Sequence, residues 1–539
     1  MKKLSSYIIL LAGTLLVPVG LFSQTADSLL LRDFNFVGAS DAWLGGNNAA
    51  ALTRWQSRNI SRAELSTHYQ RGGFVNYNES PRAWNTTGRV ESFYRLSPRM
   101  VVYGQMTYDS FSGREMTGSA FISPHRKPFD IAEDSLTNAG KKHFDTYHLT
   151  GALGWQMWRG LAIGAKVDFT AANAAKYRDL RHKTKLMDLN LLASIYAPVG
   201  RTLSFGANYQ YRRNTESVSF STYAGNDKDY FSFINYGPWI GEAEQFSDQG
   251  FTARGSEHPF LTEYQGAGVQ AAWTPLPGLN WYNDFWLAYR HGYYGRKSQY
   301  SITFMNHNSH LLGYTTRLQW RGKRQEHSVD LNFTQENLRN LRNTYRGLLN
   351  QSGASYYEYY DAVKTGNRLW QDFHVGYTAR WGIVNELPLW SMQAGLDVNR
   401  RKQTGYDYPY FRHQQLTRTE GYLQAERNLL LRSGVLSLRG SVAYAKGRGA
   451  AYEDGTFIKP SDKQKGFPQM EAFLYREYLY LTAPQYTFGG GVGYAFHFPA
   501  TRMKTYVNLD AVHHKANVRN AFLAGRDNTG VTLTIGCAF

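Results

Sequence analysis

Alternation of apolar and polar side chains at a period of two runs through this chain to its last residue, and that period dictates β-strands. At the C-terminus Val531, Leu533, Ile535, Cys537 and Phe539 fall on one face, with Thr532, Thr534, Gly536 and Ala538 on the other. Upstream, Tyr486, Phe488, Val492, Tyr494, Phe496 and Phe498 form an aromatic series whose opposite face, Thr487, Gly489, Gly491, Gly493 and Ala495, is thin. Leu161, Ile163, Ala165, Val167 and Phe169 repeat the pattern against Ala162, Gly164, Lys166, Asp168 and Thr170, as do Trp390, Met392, Ala394, Leu396 and Val398 against Ser391, Gln393, Gly395, Asp397 and Asn399. Beyond residue 60 no apolar run reaches the roughly 18 residues that mark a membrane helix.

Read this way, the chain predicts strands near 61–71, 85–96, 100–110, 143–157, 161–172, 184–197, 202–214, 260–273, 280–292, 309–320, 325–338, 368–382, 390–403, 417–430, 434–446, 485–498, 502–514 and 527–539. That makes about eighteen, with sixteen or fourteen as alternatives because strand boundaries are uncertain by a few residues. Short connections, such as Ser97-Pro98 and Arg432-Ser433, alternate with long ones at 111–142, 215–259, 339–367 and 447–484. Many strands reach the ~9 to 11 residues that a tilted membrane strand needs, longer than the five or six usual in soluble sheets. Trp155, Trp158, Trp273, Trp281, Trp320, Trp381 and Trp390 gather beside the short turns, as an interfacial girdle would. The expectation is an all-β, transmembrane antiparallel barrel with periplasmic turns and extracellular loops, closed because lipid cannot satisfy a free strand edge. A soluble propeller or sandwich is the competing architecture.

The N-terminus carries Lys2 and Lys3, an apolar stretch from Tyr7 to Phe22 and Ser23 before Gln24, the pattern of a cleaved export signal. Residues 24–60 are then expected to lie in the periplasm or to fold into the lumen as a plug, with 61–539 forming one barrel in the outer membrane of a Gram-negative cell. The formal charge is +18. In an exported chain such a surplus points to outer-membrane lipid and lipopolysaccharide, or to an anionic solute, and not to nucleic acid. A solvated loop surface is the plainer account. The single cysteine, Cys537, excludes internal disulfides and cysteine-rich zinc sites.

Residues Gly530 to Phe539 resemble the C-terminal signal by which outer-membrane barrels are recognised, which implies the barrel-insertion machinery as a partner. The segment Trp43-Leu44-Gly45-Gly46-Asn47-Asn48-Ala49-Ala50-Ala51-Leu52 is similar to a Bacteroidota-type barrel family of unknown function. It also resembles the Asn-Pro-Ala-Gly-Leu segment of the long-chain fatty-acid transporters, with Ala49 in place of Pro and Ala51 in place of Gly. That resemblance implies an N-terminal plug and makes Trp43, Asn47, Asn48 and Leu52 its candidate residues. About 37 residues between Ser23 and the first strand leave no room for the large plug domain of TonB-dependent transporters.

Inward positions carry charges of both signs. Lys166, Asp168, Arg212, Arg290, Arg317, Arg380, Asp397, Arg439 and Asp510 are the lumen-lining candidates, together with Asp188, Asp330, Arg418, Glu420 and Glu426. Charged rings in a barrel set selectivity, whereas paired charges merely fill it. The aromatic loop 223–251 and the cluster Tyr356, Tyr357, Tyr359 and Tyr360 suit sugar or partner binding, or loops folded on one another. His307 and His310 fall in a predicted loop, and His513 and His514 point to opposite strand faces, so no metal site, catalytic residue or cofactor is expected. The expected function is passage of small solutes across the outer membrane. The alternative is a closed accessory barrel whose loops engage another outer-membrane protein or a nutrient.

Overall fold

A computed structural model describes residues 30–158, 160–223, 228–464, 466–497 and 503–539, so the expected export signal and residues 24–29 lie outside the described residues. Eighteen antiparallel strands close into one barrel. In chain order they are β1 (Ile60–Gly72), β2 (Arg82–Ser97), β3 (Met100–Met116), β4 (Gly140–Trp158), β5 (Leu161–Lys176), β6 (Arg181–Val199), β7 (Leu203–Ser221), β8 (Glu257–Leu276) and β9 (Leu279–Ser298). The circuit continues through β10 (Ser301–Arg321), β11 (Gln325–Arg342), β12 (Val363–Trp381), β13 (Trp390–Asp407), β14 (Tyr410–Leu431), β15 (Gly434–Arg448), β16 (Gln485–His497), β17 (Lys504–Ala516) and β18 (Asp527–Ala538).

Each strand pairs with its sequence neighbours, and β1 meets β18 in register from Arg62↔Ala538 to Gly72↔Asn528. Closure leaves no sheet edge unpaired, which hydrocarbon would not tolerate. The outer face is the apolar series of the sequence: Leu65, Val90, Met106, Leu149, Val167, Ile195, Val269, Leu287, Leu396, Leu423, Leu509 and Leu533 are all exposed. A soluble sheet would bury such a belt, so the fold is a transmembrane barrel. Trp155, Trp158, Trp273, Trp281 and Trp320 stand exposed on this face next to the short turns.

The connections at the far end depart from simple alternation. Residues 177–180, 299–300 and 408–409 are tight turns there, and β10 and β14 run to 21 and 22 residues. Strand stretches such as 301–308, expected to be loop, lack the period because they rise above the lipid. Their inner face meets packed loops while their outer face meets water, so neither face must be uniform. His307 therefore lies on β10, buried and stacked on Phe260 with ring centroids 5.0 Å apart, and His310 points outward.

Candidate functional site: the lumen and its two closures

At the long-loop end three connections fold inward. Asp130–Glu133, Phe231–Asn235 and Gly241–Gln245 form a small antiparallel sheet, and the helix Glu471–Thr482 packs beside it. Phe129, Phe251, Phe260, Tyr294 and Phe304 make one apolar core, and Tyr77, Phe233, Trp239 and Phe473 another. Of the aromatic loop, Phe233, Tyr236, Trp239, Phe246 and Phe251 are buried, so these side chains pack the mouth and do not face solvent, whereas Tyr223 is exposed.

Wall charges tie these loops down. Lys127 meets Glu216 at 2.6 Å with both nearly sealed from solvent, and Arg126 pairs with Asp372. Arg401 on β13 reaches Glu477 at 2.7 Å. Burial alone would raise the Glu477 carboxyl, but Arg401 and the Trp239 indole N–H, 2.8 Å away, outweigh it and hold the group below its ordinary value. Asp130 and Glu133 keep raised values because burial outweighs their hydrogen bonds and nearby lysines.

At the short-turn end the chain from Leu30 to Ser57 lies inside the barrel. Trp43 is wedged edge-on between Tyr196 and Tyr282, each at 5.0 Å. Asn48 caps a short 3-10 helix, Ala49–Arg54, and donates to Gln270 Oε1 at 3.0 Å and to the Ile195 carbonyl at 2.8 Å. The Asn47 carbonyl accepts from Asn208, and Leu52 packs with Trp55 and Phe93. The wall is cut away to admit this backbone: a Cβ on Gly164 would sit 2.1 Å from Ala50 N, one on Gly154 2.8 Å from Ala49 O, and one on Gly206 2.4 Å from the Asn48 amide. Sequence reading missed this three-glycine trough, because strand glycines announce a close approach without naming what approaches. The start of the segment is latched by Arg32, which pairs with Glu386 at 2.6 Å, while Leu30 and Leu31 join Leu387, Val435 and Ala495 in an apolar seal.

Every predicted lumen charge faces inward, and most are paired. Arg212 pairs with Asp188 at 2.5 Å, Arg317 with Asp330, Arg380 with Glu326 at 2.5 Å, Asp397 with His374 at 2.7 Å and Asp168 with His148 at 2.5 Å. Arg290 is buried against Glu336 and also donates to the Arg126 carbonyl, so it holds a loop. Lys166 has no ion pair among the described residues. Tyr357 packs on Tyr345 in the hairpin Tyr345–Leu349/Ser355–Tyr359, where Tyr356 is half-buried, Tyr359 bonds the Ser301 carbonyl and Tyr360 is exposed.

Open space remains along β14 to β18 and β1 to β4, and a cavity of about 460 Å³ lies at the short-turn end between the N-terminal segment, Arg321 and Glu386. A cavity of about 710 Å³ under the mouth is lined by His68, Asp109, Arg418, Glu420, Tyr480 and His514. A second, about 270 Å³, shares Val512 with it, and a third, about 140 Å³, shares Glu426 and Arg439 with the second and ends at Arg32 and Lys504. Among the described residues no group of three or more His, Cys, Asp or Glu is placed to hold a metal ion.

A closed cylinder with an apolar belt and polar, partly filled interior defines a transmembrane β-barrel protein. The chain belongs to a family described as "Family of unknown function (DUF6850)", whose model matches residues 49–539. No curated protein sequence matches it. Among solved structures it is similar to BauA, the ferric preacinetobactin receptor of Acinetobacter baumannii, at 10% identity over 89% of this chain and 80% of that one, TM-score 0.39. It is also similar to the outer-membrane transporter YddB of Escherichia coli, at 7% identity over 90% and 81% of the two chains, TM-score 0.40. A third is the alcaligin receptor FauA of Bordetella pertussis, at 9% identity over 88% and 76%, TM-score 0.39.

Proposed function

We propose that this chain is a gated outer-membrane channel in which small solutes move along one side of the lumen and residues 24–60 act as the periplasmic plug. The reading rests above all on three successive cavities along β14 to β18, neighbours through the wall residues they share, in a barrel whose opposite side is filled by loops. The β16 glycines Gly489, Gly491 and Gly493 add no side chains to that path. Arg439, Asp510 and Glu426 line its middle cavity together, where their field acts on a passing ion. At its foot, Arg32 and the Leu30-Leu31 seal stand between the path and the periplasm. A plug of this kind also agrees with the resemblance of Trp43–Leu52 to the fatty-acid transporter segment.

The test is planar-bilayer conductance of the full-length protein beside a variant lacking residues 24–60. Discrete steps that become larger or more frequent on truncation support the plugged channel, and silence from both folded proteins refutes it. Silence would favour the second reading, an accessory barrel, for which the densely packed mouth and the protruding Tyr345–Tyr359 hairpin speak.

A further inference from the structure

A further chamber, which shares Phe34, Asn35 and Arg62 with the cavity at the foot of this path, lies between the N-terminal segment and β1 to β5. It holds about 320 Å³, at the small end of the ~300 to 1,000 Å³ typical of ligand pockets. Nine of its lining residues come from the segment, including Asn35, Leu44, Gly45, Gly46 and Leu52, and seven from the wall.

Its charges do not balance. The only carboxylate among the described residues of the lining, Glu91, is already saturated: Arg62 binds it at 2.7 Å, Arg89 at 2.6 Å and the Tyr103 hydroxyl at 2.5 Å. Glu64 stands 3.7 Å from Arg62 but outside the lining, and its own tie is to Tyr506. Asp168, two residues from Lys166 on the same face of β5, is taken up by His148. Among the described residues Lys166 is thus left without a counter-ion, and Arg89 keeps a buried Nε with no hydrogen-bond partner. Against these cations stands an apolar side formed by Phe34, Phe93, Leu44 and Leu52.

We propose that this chamber is a binding site for a compact organic anion with an apolar body, its anionic group held by Lys166 and Arg89 and its body against Phe93 and Leu52. Because the segment supplies over half of the site, such a ligand binds the seated segment and not a released one. By linkage it holds the segment in place, whatever the barrel conducts.

Benzoate is a suitable probe, with benzamide as its uncharged isostere. Calorimetric titration of the full-length protein in detergent should show saturable benzoate binding at one site and none for benzamide. Lys166→Met, which disturbs no ion pair, should weaken benzoate at least tenfold. Hydrogen exchange of residues 43–55 should slow when benzoate is present. Equal binding of benzamide and benzoate, or benzoate affinity unchanged in K166M, would overturn the proposal, as would benzoate binding with no change in exchange of the segment. None of these readouts depends on conductance, so failure here and failure of the channel reading are separate results.

Discussion

Arg439 and Asp510 form an ion pair across an intervening strand: the guanidinium on β15 passes over β16 at Gly491 to reach the carboxylate on β17, Nε to Oδ1 at 2.9 Å. A Cβ on Gly491 would lie 1.9 Å from Asp510 Oδ1. Glycine is therefore what lets the pair lie flat on the wall beside Glu426 rather than stand up in the lumen.

Gly491→Val should force the pair apart with little effect on folding, since the position is on the inner face of a strand whose outer face is unchanged. Arg439→Ala leaves Asp510 and Glu426 uncompensated in the middle cavity of the proposed path. In a channel-forming protein, R439A should raise cation over anion permeability several-fold, read as a shift in reversal potential under a salt gradient. An unchanged potential would place conduction elsewhere.

The glycine trough predicts that the N-terminal segment is unseated by a single methyl. Gly164→Ala puts a carbon 2.1 Å from the Ala50 backbone nitrogen, a contact no rotamer can relieve. Limited proteolysis should cut residues 30–57 faster in G164A, by an order of magnitude or more, while the barrel stays resistant. Gly151→Ala, on β4 with nothing within 4 Å of the added carbon, serves as the neutral control.

The lipid-facing belt can be tested independently of any function. Leu533 is exposed on β18 between Val531 and Ile535. Leu533→Lys should cost about 2–4 kcal/mol if the site lies near the bilayer centre. Denaturant unfolding from lipid vesicles reads that difference, and a cost near zero would argue against a membrane-facing surface there.

Glu477 links acid to the packing of the mouth. Its carboxyl is depressed in the folded protein, so its contribution is present above the ordinary glutamate value of about 4.3 and is lost as pH falls through the folded value. Asp130 and Glu133 act with the opposite sign, because their raised values favour the folded state as they protonate. Below about pH 4.3, hydrogen exchange in 471–482 should accelerate in the wild type. Glu477→Gln should exchange faster already at pH 7 and show a smaller acid step.

The barrel was legible from sequence because lipid imposes one rule on one face of every strand. Leu161 to Phe169 and Val531 to Phe539 obey it, and the strand number followed. Pairings inside were less legible. Arg439 and Asp510 lie 71 residues apart, and only the closed register brings them together over Gly491. The helix Glu471–Thr482 escaped notice because its partners are loop aromatics such as Trp239, which give it no regular stripe to match. Trp43 and Asn48 were found through resemblance, whereas their sockets, Tyr196, Tyr282 and Gln270, are scattered over β6, β8 and β9.

The segment from Leu30 to Ser57 is held mainly by side chains and close backbone contacts, and among the described residues its backbone joins the β-structure only at an isolated bridge, Arg32 with Glu386. Cylinder and N-terminal segment are therefore assembled by different forces, the one by a closed hydrogen-bonded hoop and the other by a fitted socket. The segment and the few residues of its socket can thus change without rebuilding the wall that lipid holds in shape, which in the proposed channel would reset what the bore admits.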